Sequence, residues 1–108
     1  MSELLRRIQT LVLSGDVSVS DHGYEELRKD DILVNDAVTG IATAVPVESY
    51  PDRFRGPAVL TLQHDGKGNP IHVIWALPRA KRRPAVLVTA YRPNPHLWDD
   101  DLKERKRK

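Results

Sequence analysis

All eight prolines of this 108-residue chain lie at or after position 46, at 46, 51, 57, 70, 78, 84, 93 and 95. Proline lacks a backbone donor and is confined to turns, sheet edges and element starts. A chain divided in this way is expected to form helices first and turn-bounded strands second, an α+β order. Its length allows one domain with one core. With 40% hydrophobic and 30% charged residues it has ordinary globular composition. No apolar run approaches the ~18 residues that would span a bilayer, so no membrane partner is expected. The N-terminus runs directly into an amphipathic pattern, so no secretory signal and a cytoplasmic location are expected. Without cysteine there are neither disulfides nor thiolate metal sites.

In the first half, Leu4, Leu5, Ile8, Leu11 and Val12 recur at helical spacing, with Ser2 placed to cap the start and Ser14-Gly15 to stop the end. After a short extended Val17-Ser-Val19, Ser20 and Asp21 are placed to cap a second helix. Val34, Ala37, Val38 and Ile41 then give a third helix at i, i+3, i+4 and i+7, weakened at Gly40.

The second half reads as strands. Val45 to Tyr50 is demoted to an edge by Pro46, and Ala58 to Asp65, Pro70 to Leu77 and Ala85 to Arg92 follow. Taking Gly66-Lys-Gly-Asn69 as a four-residue hairpin loop pairs Leu62 with Val73 and Leu60 with Trp75 on one face, and Gln63 with His72 and Thr61 with Ile74 on the other. Asn94-Pro95 reads as a helix start, with Trp98 and Leu102 on one side of a C-terminal helix. The expected architecture is therefore N-terminal helices packed on one face of a three- or four-stranded antiparallel sheet, with a C-terminal helix. Residues 1–102 form the domain and 103–108 a basic tail.

The 17 basic and 15 acidic residues are unevenly placed: residues 103–108 carry five basic groups and one acid, and Arg79, Lys81, Arg82 and Arg83 cluster between Pro78 and Pro84. A mildly acidic body thus carries a basic hairpin tip and a basic tail, an electrostatic pattern suited to phosphate contact and hence to an RNA partner.

Histidines 22, 64, 72 and 96 show no metal-ligand spacing, so no metal and no cofactor is expected. His72 stands out, because the register above sets it beside Gln63 and Thr61 on a polar sheet face, where an imidazole is suited to general acid or base work. Tyr91 and Arg92 end the last strand. If Tyr91 shares the His72 face, then phenol, imidazole and guanidinium together are the parts of a metal-independent ribonuclease. The run Ala85-Val-Leu-Val is apolar on both sides, however, and leaves the face of Tyr91 open between this and a core anchor.

Ser20-Asp-His22, Val34 to Gly40, Glu48-Ser-Tyr-Pro51, Pro70-Ile-His-Val73 and Val88-Thr-Ala-Tyr91-Arg-Pro93 followed by Trp98 together resemble the domain-of-unknown-function family 4258. In that family the histidine of the second helix is usually followed by alanine and, four positions on, by arginine, where this chain has Gly23 and Glu26. The family is distantly similar to the RelE and barnase-like ribonuclease fold, many of whose members are toxins of toxin–antitoxin pairs. The resemblance implies an RNA-cleaving or RNA-binding domain with its site on the open sheet face. It carries over to His72, Tyr91 and Arg92 as catalytic positions. By analogy of location, it extends to Arg53 and Arg79 as RNA-binding positions; the basic hairpin tip adds Arg82 and Arg83 to these, and His22 and Gln63 are further candidates.

Two functions from different classes follow as expectations. One is a metal-independent endoribonuclease of toxin type, with an antitoxin as protein partner. The other is a noncatalytic module, either a protein-interaction domain using the Val45 to Tyr50 edge or a basic RNA-binding protein.

Overall fold

Ser2 caps the first helix, its hydroxyl accepting from the Leu5 amide at 3.0 Å, and α1 runs from Glu3 to Leu13. The helix ends in a Schellman motif: Gly15, at φ +85°, donates to Val12, and Asp16 donates to Leu11. β1 (Val17–Val19) leads into α2 (Asp21–Lys29), capped by Ser20, whose hydroxyl accepts from the Gly23 amide at 2.9 Å. α2 closes in the same manner, but with Asp31 at φ 55° where α1 has glycine. Then come α3 (Val34–Thr39), a 3-10 turn (Gly40–Thr43) and four strands: β2 (Val45–Tyr50), β3 (Ala58–His64), β4 (Pro70–Ala76) and β5 (Ala85–Tyr91). The computed structural model describes residues 2–98 and 101–105.

The class is α+β, as the proline distribution implies, but the sheet has five strands in the order β1-β5-β4-β3-β2 and is mixed. β1, expected only as an extended link, pairs in parallel with β5. Ser20, which directly follows β1, extends this pairing: its amide donates to the Leu87 carbonyl at 3.1 Å and its hydroxyl to the Val88 carbonyl at 3.0 Å. β2 is an edge strand, as Pro46 requires.

The β3–β4 register differs from the expected one by a single residue. His64 pairs with Pro70, Leu62 with His72, Thr61 with Val73 and Val59 with Trp75. Asp65 explains the slip: its amide donates to the Asn69 carbonyl, and its carboxylate accepts from the Lys67 and Asn69 amides at 2.9 Å, so the turn closes one residue earlier. Val59, Ile71, Val73, Trp75, Leu77, Ala85, Leu87 and Ala90 therefore face the helices, where they meet Leu5, Ile8, Leu11, Val12, Leu27, Ile32, Ala37 and Ile41.

Gln63 and Thr61 lie on this helix-facing side as well, which corrects their expected place beside His72. Gln63 is fully buried: its Nε2 donates to the Ala37 carbonyl at 2.8 Å, and its Oε1 accepts from Trp75 Nε1 at 2.8 Å. It is a polar clasp between sheet and α3, removed from any surface chemistry.

The expected C-terminal helix does not form among the described residues. After Pro93 the chain makes a turn in which the Asn94 side chain accepts from the His96 amide, and Leu102 sits at φ 60°. Trp98 pairs with Arg105 as an antiparallel bridge. A segment this short has little helical stability of its own, and docking the Trp98 ring on the sheet decides its path. Asp99 and Asp100 of the expected helix and Lys106 to Lys108 of the tail lie outside the described residues.

Candidate functional site

Two β-bulges build the second face of the sheet. In β5 the pairing shifts between Ile74 and Trp75, so that Leu87 opposes Trp75 and Thr89 opposes Ile74, with Val88 as the extra residue. Ala85 and Leu87 face the core before the bulge and Ala90 faces it after, which turns Thr89 and Tyr91 to the other side. In β2 the shift falls between Pro46 and Glu48, with Val47 extra, so that Glu48 pairs with Leu60 instead of Val59. Directly paired residues share a face, so Glu48, Tyr50, His72 and Tyr91 all project on the side away from the helices. A bulge re-aims a side chain in this way at the cost of local pairing, and such features are common beside active sites.

His72 is fully buried although it lies on this outer face. Trp98 stands edge-on to it with ring centroids 4.5 Å apart, and its Nε2 lies 2.7 Å from the Leu102 carbonyl. A carbonyl only accepts, so Nε2 carries the hydrogen and Nδ1 is left to accept from the Tyr91 hydroxyl at 3.3 Å. Burial pushes the His72 pKa below its ordinary value, with Arg105 adding to the effect and the Leu102 hydrogen bond opposing it. Tyr91 is shifted upward by burial.

Next to this pair, Arg105 forms a two-pronged ion pair with Glu48, Nε to Oε2 at 2.9 Å and Nη2 to Oε1 at 3.2 Å. Its guanidinium carbon lies 4.6 Å from the centroid of the Trp98 ring. The Tyr50 hydroxyl donates to Glu48 Oε1 at 2.6 Å. The Arg105 hydrogen bond holds Glu48 below the usual carboxylate range against the opposing effect of burial, and the Tyr50 bond acts in the same direction as Arg105. Burial, with the Glu48 hydrogen bond, pushes the Tyr50 phenol up to about 12. At neutral pH the site thus holds a carboxylate, a guanidinium, a neutral imidazole and two protonated phenols. Glu48 and Arg105 stay accessible, with 30% and 56% of their side chains exposed.

Of the residues expected at the site, His72 and Tyr91 are brought together. Arg92 is directed elsewhere: its amide donates to Asp30 Oδ2, its guanidinium to the Asp30 and Asp31 carbonyls and to Asp65 Oδ2 at 3.1 Å, tying the end of α2 to the β3–β4 turn. Arg83 pairs with Asp16 at 2.7 Å, and Arg82 lies exposed in the β4–β5 loop. Arg53, Arg79 and His22 gather at the opposite end of the sheet face from Trp98. Glu48, Tyr50, Trp98 and Arg105 were not expected at the site. Glu48-Ser-Tyr50 does carry a signal, two polar side chains in alternation on an edge strand, but which face they take rests on the bulge at Val47.

Among the described residues no group of three or more His, Asp or Glu side chains is arranged to hold a metal ion, and no helix is long and apolar enough to cross a membrane. The family described as Domain of unknown function (DUF4258) matches residues 19–92. The chain belongs to this family. That span takes in α2, α3 and β2 to β5 and so contains Glu48, Tyr50, His72 and Tyr91, while Trp98 and Arg105 lie beyond it. No curated protein and no solved structure matches the chain at a significant level.

Proposed function

We propose that the chain is an endoribonuclease that needs no metal, with Glu48, Tyr91 and Arg105 as its reacting groups. One observation carries this reading: side chains from β2, β4, β5 and the Trp98–Arg105 segment converge on the face away from the core, where packing alone asks for no ionisable group. Such a set meets the needs of phosphodiester cleavage by a neighbouring 2′-hydroxyl.

Glu48, ionised at neutral pH, takes the 2′-hydroxyl proton, and the 2′-oxygen attacks phosphorus. The bond from phosphorus to the 5′-oxygen breaks, and that oxygen takes the phenolic proton of Tyr91. The products are a 2′,3′-cyclic phosphate and a 5′-hydroxyl, and the proton held by Glu48 passes through water to the Tyr91 phenolate, which restores both groups. Arg105 uses two donors on Glu48 and has others for the phosphate oxygens. His72 acts as a positioning residue, since it is buried and its two nitrogens are engaged by Leu102 and Tyr91. The toxin setting, with an antitoxin as partner, is part of this proposal and rests on the resemblance that the family's sequence motifs suggest to RelE and barnase-like ribonucleases.

Purified protein incubated with total RNA in EDTA, beside Glu48→Gln, Tyr91→Phe and Arg105→Ala, tests the mechanism. Expected are cyclic-phosphate ends and a loss of about 100-fold or more in each variant. Equal cleavage by all four proteins, or none by any, removes it.

A second reading, a noncatalytic interaction module, is favoured by Tyr24 and Leu33, which are 51% and 68% exposed and line a groove of about 510 Å³ between α2 and α3. A stoichiometric protein partner recovered from the native host, without ribonuclease activity, supports it.

A further inference from the structure

The face that carries Glu48 and His72 continues toward the opposite end of the sheet, where it opens into a groove of about 460 Å³. Its floor is Ala76 and Val86, cross-strand partners on the outer face. One wall is the start of α2 with Ser20, Asp21 and His22; the other is the β2–β3 loop with Arg53 and Arg55. Beside that wall stands Phe54, 83% exposed, the most exposed large apolar side chain among the described residues. The Arg79 guanidinium lies 5.9 Å from the centroid of its ring and donates to its carbonyl at 3.3 Å, which joins the β2–β3 loop to the basic β4–β5 tip.

A water-facing aromatic ring flanked by guanidinium groups costs solvation and contributes nothing to the core. It is the arrangement on which an unpaired base stacks while its neighbouring phosphates meet positive charge. A duplex offers no free base face to such a ring. Ala76 stands four positions along β4 from His72, about 13 Å at 3.3 Å per residue, so one short strand of nucleic acid spans groove and ionisable cluster along a single face.

We propose that this groove, with Phe54 as the stacking platform and Arg53, Arg55 and Arg79 as phosphate contacts, binds single-stranded RNA. The inference rests on the ribonuclease reading for its choice of RNA and names that enzyme's substrate class. The Asp21 carboxylate at the rim opposes phosphate, which places the backbone on the Arg53–Arg55 side.

The test is fluorescence anisotropy with a 2′-O-methyl oligoribonucleotide, which 2′-hydroxyl attack cannot cleave, titrated against wild type, Phe54→Ala, Phe54→Leu and Arg55→Ala at several salt concentrations. Wild type is expected to bind the single strand more tightly than a duplex of the same sequence. Both Phe54 variants should weaken binding by roughly 5- to 100-fold, because leucine keeps apolar area but offers no ring for stacking. Arg55→Ala should lower the salt slope by about 0.7. Absence of binding at low salt, unchanged affinity in both Phe54 variants, or equal affinity for duplex overturns the proposal. Natural RNA left intact while the methylated strand binds removes the cleavage reading and leaves the groove; cleavage without binding by the groove does the reverse.

Discussion

The Glu48 carboxylate and the Arg105 guanidinium, 57 residues apart in sequence, meet through two hydrogen bonds of 2.9 and 3.2 Å on the outer face of the sheet. One is on an edge strand and the other beyond the last strand, so the pair fastens the Trp98–Arg105 segment across the face and with it the Leu102 carbonyl on His72. Side chains this exposed contribute little to stability through their ion pair alone. The arrangement defines a site, and its consequences can be measured.

Removing residues 95–108 uncovers His72 and deletes its Leu102 partner. Because burial is the main cause of its lowered pKa, the imidazole in the truncated chain should titrate closer to the ordinary value near 6.5. The chemical shift of its ring protons followed against pH by NMR reports this directly. A titration midpoint identical to that of the full chain would show that the segment does not cover His72 in solution.

The same shift fixes a pH dependence of stability. The folded chain holds the His72 proton less tightly than the unfolded chain, whose value is near 6.5, so below that pH the unfolded state binds more protons. The contribution is complete above 6.5 and is lost as pH falls through the folded value. Glu48, also depressed, adds a second loss that begins only below its unfolded value near 4.5. Among the described residues, Tyr91, Glu48 and Arg105 are the titratable groups that act on His72. Thermal melts should show Tm falling in these two windows, and His72→Gln should flatten the upper one.

Gln63→Leu is expected to cost about 2–4 kcal/mol, since it leaves Trp75 Nε1 buried without its acceptor and removes the side-chain donor from the Ala37 carbonyl. Urea unfolding measures it. A loss below roughly 0.5 kcal/mol, within the range of ordinary surface substitutions, would mean that the clasp is replaced by water or by repacking.

Gly56 takes φ +129°, and a Cβ there would lie 1.9 Å from the Leu77 carbonyl oxygen. Gly56→Ala should therefore destabilise by about 2 kcal/mol or more and disturb the loop that carries Arg53, Phe54 and Arg55. Asp31 gives the opposite sign. It holds φ 55° at the αL position of a Schellman motif, so Asp31→Gly should stabilise by roughly 0.5–1 kcal/mol. Paired denaturation curves distinguish the two signs.

Local chemistry was legible where neighbours in sequence decide it. Ser2 and Ser20 cap their helices as their positions imply, Gly15 ends α1, and Pro46 keeps β2 at the edge. The β3–β4 register was missed by one residue because Asp65 closes the turn with its own side chain, and that slip alone moved Gln63 and Thr61 to the helix side. The expected helix after Asn94 was overridden by the docking of Trp98, which no periodicity announces.

The sequence by itself determined the order of the three helices and of strands β2 to β5, the caps, the edge strand, and the location of His72 near one end of a sheet strand. Only the tertiary structure decided the site. Tyr91 shares the alternation of Ala85 and Leu87, which face the core, and would follow them inward in an unbroken strand; Glu48, paired one residue further along, would face inward with Val59. A single extra residue in each strand, Val88 and Val47, reverses that alternation. Such a reversal comes from how a strand fits its partner across the sheet, a long-range pairing that the two-residue period of one strand does not encode.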